Sequence, residues 1–503
     1  MKKYISTLII LFSIVVTQAQ EVFDAVRLGQ TNGNGSARFQ AMSGAFGSLG
    51  GDMSAININP ASSAIFSNNQ WNVSLSDNMI KNNTNYFGTK TISDKNSVNI
   101  NQAGAVFVFD NYDASSKWNK FSLSFNYEKT GNFQNDVFSA GTNQNSIANY
   151  FTSYANANAF QGGITLDALS TGNYQDLNFA DQQAFLGYQS YAINPAVNVP
   201  GNTVYNSNVR AGGNYFQENS FVSRGYNGKM NFNIAAQYDS WLSLGLNLNS
   251  HFTEYKQSTS FFESNNNTLD TNSRVKEILF DNDIHTFGSG FSLQIGAIAK
   301  VNKVFRLGLT YESPTWYELN DELTQKVTAV SASTAGVLVP DIVNPKVVNT
   351  YEPYTLQTPG KITASGSFIF AKKGILSIDA STKNYTDSNF GPSKEFKRVN
   401  NLLENNLTRT YDFKVGGEYR IEKLSVRGGF KTEQSPYKDK KVMGDLYGIS
   451  SGIGYNWGDT KLDVSYSYSK RNLQNQFFYQ GLTDYSTSTA INNNVTITLT
   501  FEL

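Results

Sequence analysis

The chain has 503 residues, and its 40 Lys and Arg residues balance 40 Asp and Glu residues, so the formal net charge is zero. This balance excludes a general nucleic-acid binder, which needs clustered positive charge, and an aromatic content of 14% excludes a disordered chain. The absence of Cys excludes disulfides, thiolate metal sites and cysteine nucleophiles, and a mean hydropathy of -0.37 without a long apolar run excludes a bundle of membrane helices.

The N-terminal residues have the pattern of a secretory signal peptide. Lys2 and Lys3 precede a mostly apolar run from Ile5 to Val16, and small residues suited to cleavage follow up to Ala19. A retained membrane anchor is the alternative, but the run is too short to cross roughly 30 Å of hydrocarbon as a helix. We therefore expect residues 1–19 to be removed and the mature chain to be exported.

Residues 20–69 differ from the rest of the chain because they are rich in small residues and lack a regular alternation. Their closely spaced glycines are Gly44, Gly47, Gly50 and Gly51. This spacing matches neither G-x-G-x-x-G nor G-x-x-x-x-G-K-[ST], so a phosphate-binding loop is excluded. The small residues favour short helices packed tightly in a confined space, with Asp52 or Ser54 as a cap and Pro60 as a terminator.

From Trp71 to the C-terminus the apolar residues recur at every second position, which is the period of a β-strand with one apolar face. In one segment Leu242, Leu244, Leu246 and Leu248 alternate with Ser243, Gly245, Asn247 and Asn249. The pattern predicts fourteen strands, an even number as expected for a single-chain bacterial outer-membrane barrel. These strands are predicted at residues 70–77, 98–110, 119–130, 226–238, 241–257, 284–300, 303–312, 361–370, 374–386, 407–420, 423–431, 444–457, 460–472 and 489–501.

The connections between the predicted strands alternate between long and short. The long connections cover residues 78–97, 131–225, 258–283, 313–360, 387–406, 432–443 and 473–488, and the short ones cover 111–118, 239–240, 301–302, 372–373, 421–422 and 458–459. Short periplasmic turns opposite long outer loops are typical of outer-membrane barrels, whereas a soluble sandwich or propeller has no reason to sort its loops in this way. We therefore predict an all-β fold, a 14-stranded antiparallel transmembrane β-barrel over residues 70–503, with its longest extracellular loop at 131–225, in the outer membrane of a Gram-negative bacterium.

The positions of proline and charge agree with strands in lipid. None of the ten prolines falls inside a predicted strand, where it would remove a ladder hydrogen bond that lipid cannot replace. Six charged residues of the strands lie on the polar side of the alternation and avoid the roughly 2–4 kcal/mol cost of an Arg facing lipid. These residues are Arg306, Asp379, Lys414, Glu418, Arg427 and Asp463.

A fourteen-stranded barrel encloses a lumen wider than its own side chains can fill. We therefore predict that residues 20–69 form a plug, or hatch, which enters the lumen from the periplasmic side and prevents leakage. The outward face of such a barrel has outer-membrane lipid as its partner.

Several segments resemble the FadL/TodX family of outer-membrane transport proteins. The most specific is the stretch 36–47 (SARFQAMSGAFG), followed by 50–52 (GGD) and 59–61 (NPA), which resembles the N-terminal hatch of that family. Further resemblance lies in 309–317 (LTYESPTWY), in 358–361 (TPGK) and in 427–430 (RGGF) with 435–436 (SP).

The resemblance implies a fourteen-stranded barrel with a hatch that carries long-chain fatty acids or aromatic hydrocarbons into the cell. It implies that Asn59, Pro60 and Ala61 lie in the hatch next to the bound ligand. It also implies that the hatch rearranges and that the ligand leaves laterally, through a kink in a barrel strand which the sequence does not locate. The implied partner is a hydrophobic small molecule, and no cofactor is implied.

Apolar residues outside the strands are the candidates for a ligand site, because a polar lumen suits an apolar molecule poorly. In the hatch, Phe46, Leu49 and Met53 either line an inner site or pack against the wall. In the longest loop, aromatic residues at helical spacing either form an outer docking surface for hydrophobic molecules or pack the loop onto the barrel. The outer docking candidates are Phe151, Tyr154, Phe160, Phe185 and Tyr188.

The two histidines do not suggest a joint metal or haem site. His251 lies on the polar side of the alternation and His285 on the apolar side, so they should face opposite sides of the wall. Without a thiol or a His-based acid–base pair we predict no enzyme, no catalytic residue and no metal site. Two alternatives to transport stay open: a scaffold in a secretion or surface-assembly system, with a protein partner bound by the loop at 131–225, and a receptor for haem or another porphyrin.

Overall fold

Fourteen antiparallel strands close into a ring, because the first strand pairs with the last as well as with the second. The computed structural model describes residues 22–30, 33–113, 115–156, 162–271, 273–333, 335–371 and 373–503. In the closing pair Gln70 lies opposite Glu502 and Asn85 lies opposite Thr487. The ring consists of β1 (Gln70–Tyr86), β2 (Thr89–Asp110), β3 (Trp118–Asn132), β4 (Tyr215–Tyr238), β5 (Leu242–Asn265), β6 (Val275–Lys300), β7 (Phe305–Glu312), β8 (Lys361–Phe370), β9 (Gly374–Asn384), β10 (Arg409–Ile421), β11 (Leu424–Glu433), β12 (Leu446–Asn456), β13 (Thr460–Gln476) and β14 (Tyr485–Glu502). The predicted fold class and number of strands are confirmed.

The wall of the ring is apolar outside and polar inside. On β5 the side chains of Leu244, Leu246 and Leu248 are each 40–41% exposed, whereas Asn247 and Asn249 are fully buried. An apolar face of this extent would be unfavourable in water and is favourable in contact with the hydrocarbon core of a membrane. The side-chain alternation in the sequence therefore corresponds to a lipid-facing and a lumen-facing surface, and none of the fourteen strands contains proline.

The strands continue beyond their predicted outer ends. Only Phe87 and Gly88 separate β1 from β2, so the predicted long connection at 78–97 is wrong. In that region polar residues such as Lys81, Asn85 and Asp94 stand on the exposed face, so the alternation that identifies a lipid-facing strand is lost although the ladder continues. Strands β4, β5 and β6 are 24, 24 and 26 residues long, more than twice the 9–11 residues that cross a bilayer. The wall therefore rises above the membrane on its outer side.

The predicted long connection at 313–360 is also largely sheet. Ser313–Thr315 interrupts the strand after β7, since Pro314 has no N–H to donate, and Trp316–Ala332 then resumes pairing with β6. The chain returns through the short strands Leu338–Val343, Asn349–Thr350 and Tyr354–Gln357. The Ser-Pro-Thr-Trp segment is thus a break within one long strand rather than the start of a loop.

The N-terminal segment lies inside the ring in two parts. Its helices are α1 (Val22–Gly29), α2 (Ala37–Ala41) and the 3₁₀ helices Ser54–Asn57 and Pro60–Ile65. Helix α1 lies in the outer half, where Val26 and Leu28 pack against residues of the outer loops such as Leu403. The other three helices lie in the periplasmic half, against inward-facing residues of the strands. The chain therefore runs from the outer half down to β1, which differs from the expected entry on the periplasmic side.

A helical layer covers the outer end of the ring and shares an apolar core with it. Outside the ring the elements are the strand Asn135–Asn143, α3 (Ala148–Asn156), α4 (Leu166–Thr171), α5 (Phe179–Gln189), α6 (Lys397–Asn406), the 3₁₀ helices Tyr174–Asp176 and Tyr385–Asp387, and the strands Ile193–Pro195, Tyr205–Ser207 and Asn389–Gly391. Phe151 and Leu186 of this layer pack with Phe261, Phe280 and Val327 of the extended wall. Among the described residues, no helix combines the length and the apolar character needed to cross a bilayer.

Candidate functional site

The Asn-Pro-Ala motif begins the second 3₁₀ helix of the N-terminal segment. The side chain of Asn59 accepts a hydrogen bond from Ala61 N at 3.1 Å, and Pro60 stands at the first helical position, where its missing N–H has no consequence. Asn59 Nδ2 also donates to the carbonyl oxygens of Gly47 at 2.7 Å and of Ala297 in β6 at 3.0 Å. The fully buried Asn59 thus ties the segment both to itself and to the wall.

Inward-facing glycines of the wall leave room for the N-terminal segment. At Gly245 an added Cβ would lie 2.3 Å from the carbonyl carbon of Pro60, and at Gly308 it would lie 2.2 Å from Gly47 O. Contacts of 2.1–2.6 Å would also arise at Gly296, Gly416, Gly429 and Gly452. These glycines, which we call the glycine ring, belong to β5, β6, β7, β10, β11 and β12, so the segment touches the wall on many sides.

A buried chain of charges joins α2 to the wall. Arg38 Nε lies 2.8 Å from Glu418 Oε2, and Arg427 Nε lies 2.7 Å from the same oxygen. Arg427 Nη1 in turn lies 2.5 Å from Asp463 Oδ1. The sequence pattern predicted that the three strand residues face inward, and the structure adds that Arg38 of the N-terminal segment completes their pairing.

Asp52 connects two parts of the N-terminal segment. Its carboxylate accepts hydrogen bonds of 2.9 Å from Ser36 Oγ, the cap of α2, and from Ser54 N, at the start of the first 3₁₀ helix. Burial raises the pKa of Asp52, and the neighbouring Arg38 and Ser36 oppose this rise because they favour the carboxylate form. The segment is therefore held together by polar contacts as well as anchored to the strands.

Replacing Glu418 by Gln should loosen this anchorage. The change keeps the side-chain shape but removes the charge shared by Arg38 and Arg427, and removing one partner of a buried ion pair typically costs about 3–5 kcal/mol. We expect a lower midpoint of thermal unfolding, followed by circular dichroism in detergent. Glu422, exposed in the turn between β10 and β11, supplies the control, and Glu422→Gln should unfold at the wild-type temperature. Equal midpoints for both variants would contradict an anchoring role.

A chamber rich in positive charge lies between α1 and the filled periplasmic half. It comprises two adjoining cavities of about 30 Å³ each, which share Lys361 and Lys383. The other cations that line it are Lys229, Lys414 and Arg471, and its acidic residues are Glu312, Asp412 and Glu433. The lining of this cationic chamber therefore carries five cations against three carboxylates.

The chamber lysines are buried inside the ring. Lys383 Nζ donates to the carbonyl oxygen of Gly29, the last residue of α1, at 2.6 Å, and Lys361 Nζ lies 3.4 Å from Glu312 Oε2. Lys229 and Lys383 are 4% and 7% exposed. A surplus of buried positive charge is costly unless an anion neutralises it, so the chamber suits a carboxylate. Sequence reasoning placed Lys414 on the inward side but missed Lys229, Lys361 and Lys383, although their inward position in the alternation was a usable signal.

Above the chamber, α1 lies in an apolar cluster. Its residues Val26 and Leu28 pack among side chains from the outer strands and loops, which include Tyr317, Leu319, Tyr354, Leu356, Phe390 and Phe396. The Arg27 guanidinium carbon lies 3.5 Å from the ring centre of Tyr255, so this charge is stacked on an aromatic face. The described part of the lumen therefore changes from apolar near the outer end to cationic below it.

The three apolar candidates of the hatch are buried within the N-terminal segment. Phe46 and Leu49 pack together, and Met53 belongs to a separate cluster with Val106 of β2. Asp379 of β9 accepts a hydrogen bond from Phe46 N at 3.0 Å, which fixes this part of the segment to the wall. These side chains are not among those that line the cationic chamber, and a ligand-binding role for them stays a prediction.

The outer docking candidates divide into buried and partly exposed residues. Phe151 and Tyr154 are buried in the core of the helical layer, whereas Phe185 and Tyr188 are half-buried at its surface. Phe160 lies outside the described residues. An outer groove of about 650 Å³ is lined by Phe185 together with Tyr174, Ile342, Val343 and Pro345. Polar residues such as Asn173 and Gln189 also line this groove, so the structure places one of the candidates at an open groove of mixed character.

The two histidines face opposite sides of the wall. His251 is buried on the lumen side, with Nε2 2.9 Å from Ser292 Oγ. His285 lies next to the exposed ring of Phe287 and pairs with Glu322, Nδ1 to Oε2 at 3.2 Å. The expected separation of the two side chains is confirmed.

The wall splits between β2 and β3 in its outer half. Their ladder ends at Gln102 and Glu128, although both strands continue, and beyond this point the described pairing of β2 is with β1. The strand Asn135–Asn143, which follows β3, pairs with β4 and packs on the inner side of the β1–β2 hairpin, where Ser93 Oγ donates to Asp136 O at 2.8 Å. We call this split the fork.

The fold is shared with solved transport proteins of low sequence identity. The chain is similar to a FadL homologue of Pseudomonas aeruginosa, with 12% identity and a TM-score of 0.51 over 94% of this chain and 99% of that one. It is similar to the toluene transporter TodX of Pseudomonas putida, with 13% identity and a TM-score of 0.51 over the same shares. No protein-family model and no curated protein matches the sequence.

Proposed function

We propose that this protein is an outer-membrane transporter that takes up hydrophobic small molecules through a plugged barrel. The observation that carries the proposal is the graded lumen, in which an apolar cluster around α1 lies above the cationic chamber and the N-terminal segment fills the space below. A lumen that is apolar at one end and charged at the other is complementary to an amphipathic molecule, which has an apolar chain and a charged head group. The fold shared with TodX and with a FadL homologue supports a transport role over an enzymatic one.

Of the two substrate classes that the resemblance implies, we favour long-chain fatty acids over aromatic hydrocarbons. The carboxylate of a fatty acid could pair with Lys229 or Lys383, and its chain could replace α1 side chains in the apolar cluster. Hydrogen bonds between charged partners are about twice as strong as those between neutral ones. An uncharged hydrocarbon would leave the surplus of buried cations unchanged.

The proposed path begins at the outer groove beside Phe185, continues through the apolar cluster to the chamber, and leaves through the fork. Residues 20–69 act as the hatch in this proposal, and Asn59, Pro60 and Ala61 form one of its contacts with the wall. A lateral exit is favoured because the glycine ring and the Glu418 ion pairs close the route straight down. The hatch would rearrange to let the head group pass from the chamber to the fork.

Removing charge from the chamber should weaken binding of a fatty acid selectively. In the double variant Lys229→Met/Lys383→Met we expect affinity for radiolabelled palmitate to fall about 10–100-fold, since hydrogen bonds to charged groups contribute about 1.5–3 kcal/mol. Hexadecanol has the same chain without the carboxylate, and its affinity should change little. Equilibrium binding to the purified protein in detergent measures both ligands.

The control for this experiment is Lys423→Met, which removes an exposed lysine from a periplasmic turn and should leave both affinities unchanged. An equal loss for palmitate and hexadecanol in the double variant would mean that the chamber does not recognise the head group. Absence of binding of either ligand to the wild-type protein would contradict the proposed function itself.

A second candidate function is a scaffold in secretion or surface assembly, which is favoured by the outer hairpin formed by Trp316–Ala332 and Leu338–Val343. Val337, Leu338, Val339 and Ile342 of this hairpin are 47–64% exposed above the wall, where a protein partner could cover them. Mass spectrometry of protein purified in gentle detergent separates the two functions. A co-purified fatty acid or hydrocarbon supports transport, and a stoichiometric protein supports the scaffold. Haem uptake has less support, because the two histidines face opposite sides of the wall.

A further inference from the structure

A groove opens on the lipid-facing side of the wall, at the level where the apolar band ends. On β5 the outward side chains from Leu242 to Phe252 are apolar except for Ser250, and about eleven residues of strand are enough to cross the hydrocarbon core. The next two outward side chains, Glu254 and Lys256, are charged. The groove has a volume of about 630 Å³, and its lining includes both Phe252 and Glu254. It therefore lies at the outer boundary between the hydrocarbon and the lipid head groups.

The register of three strands determines which side chains meet in this groove. The strands are β5, β6 and Trp316–Ala332, and their outward side chains form two rows across the groove, the second row two residues further from the membrane centre than the first. The rows consist of Phe252, Ser289 and Glu318, and of Glu254, Phe287 and Asn320. Aromatic, small and acidic side chains thus lie next to one another.

The groove is open because two aromatic side chains turn away from Ser289. The ring of Phe252 lies over Gly228 of β4, where an added Cβ would be 2.4 Å from the ring. On the other side the ring of Phe287 packs against His285, with ring centres 4.9 Å apart. The small side chain of Ser289 is exposed between these two rings and forms the floor of the groove.

The groove contains one carboxylate without a counter-charge. Glu322 lies above the groove and pairs with His285, Oε2 to Nδ1 at 3.2 Å, and Glu254 pairs with Lys256, Oε1 to Nζ at 3.0 Å. Among the described residues, no ion pair or hydrogen bond engages the carboxylate of Glu318. Aromatic rings and a carboxylate both attract a cation. The groove is therefore complementary to a positively charged group.

We propose that this groove binds a membrane lipid whose head group carries an amine. The ammonium group pairs with Glu318, and the acyl chains lie on the apolar band below, where Phe291 and Trp316 are exposed. A water-soluble amine would leave this apolar surface uncovered, and an anionic lipid would bring its charge to an unpaired carboxylate. The inference goes beyond the proposed transport function and does not depend on it, because it requires only that the barrel lies in a membrane.

Competition between two lipids with the same acyl chains tests this site. Dioleoyl phosphatidylethanolamine carries an ammonium group, and dioleoyl phosphatidylglycerol does not. In native mass spectrometry of the purified protein with equal amounts of both lipids, the wild type should retain mainly phosphatidylethanolamine. We expect Glu318→Gln to lower the ratio of bound phosphatidylethanolamine to phosphatidylglycerol about fivefold, the factor for an exposed ion pair at the upper end of the usual strength. Glu404→Gln, which removes an exposed carboxylate of α6, is the control and should leave the ratio unchanged.

Filling the groove tests the same site without changing its charge. Ser289→Phe places a ring over the floor of the groove and should reduce the bound phosphatidylethanolamine several-fold. Ala364→Phe adds the same ring at an exposed, lipid-facing position of β8 and should not.

Three results would overturn the proposed lipid site, provided that heat-modifiable migration shows a folded barrel. The first is equal retention of both lipids by the wild type. The second is an unchanged ratio in Glu318→Gln or unchanged retention in Ser289→Phe. The third is a dimer that Ser289→Phe dissociates, because a second copy of the chain would then cover the groove.

Discussion

Deletion of residues 21–69 is expected to turn a barrel that is closed to small solutes into one that conducts them. The lumen of a fourteen-stranded ring is wider than its inward side chains can fill. In this protein the space is occupied by the N-terminal segment, which meets the glycine ring on six strands. Without the segment the exposed lining would be Asn, Ser and Thr side chains together with charged residues such as Glu418 and Asp379, which water would hydrate. Single-channel recording in planar bilayers should show a large, steady conductance that the intact protein lacks.

A shorter deletion separates the contributions of the two parts of the segment. Removing only residues 22–29 takes away α1 and its apolar contacts in the outer half but leaves α2 and the 3₁₀ helices in place. This variant should retain small solutes almost as well as the intact protein and should bind fatty acids differently. If the full deletion leaves conductance unchanged, residues 21–69 are not the plug.

Substitution of a glycine in the glycine ring should displace the segment, whereas substitution of its neighbour should not. In Gly416→Ala the new methyl group would lie 2.5 Å from Met42 O, and in Gly429→Ala it would lie 2.6 Å from the carbonyl carbon of Met42. Neither clash is with a flexible side-chain end, so the segment or the wall must move. Overpacking of this kind typically costs about 1–3 kcal/mol. We expect a lower thermal midpoint and intermittent conductance in both variants.

The chain contains matched controls for these substitutions. Gly417 and Gly428 are adjacent to the tested residues, and their added Cβ atoms would be 3.6 Å and 3.8 Å from the nearest atoms, which is ordinary contact. Gly417→Ala and Gly428→Ala should therefore behave as wild type in both assays. If the inward and outward substitutions changed the thermal midpoint and the conductance equally, the changes would reflect strand propensity and not a clash with the N-terminal segment.

Much of the barrel followed from local pattern. Alternation along residues 242–249 reports which side of one strand meets hydrocarbon, and the same signal recurs in each strand of the ring. The alternation failed to predict the outer ends of β1 and β2. There Asn82 and Thr84 are buried against another strand, Asn135–Asn143, and do not mark a boundary between lumen and lipid. It failed again at Trp316–Ala332, where a proline interrupts a strand without ending it.

The candidate site was less predictable. The motif at Asn59–Ala61 stands out in the sequence, yet its contacts are with Gly47 and Ala297, far apart along the chain. The spacing of aromatic residues in the loop at 131–225 predicted helices. It could not distinguish a docking surface for hydrophobic molecules from packing of the loop onto the barrel, because both require aromatic residues at the same positions. Phe151 is buried and Phe185 borders a groove because of the way in which the helical layer packs on the barrel wall.

The amino-acid sequence by itself determined the number of strands, the face that each presents to lipid and the inward position of charged residues such as Glu418 and Arg427. These properties depend on neighbours one or two positions apart, whose spacing is set by the backbone. The tertiary structure alone decided that Arg38 meets Glu418, that five cations surround one chamber and that Asn34 meets the main chain of Lys129. Each of these depends on strand register and on the path of the N-terminal segment, which bring together residues up to several hundred positions apart and leave no local trace.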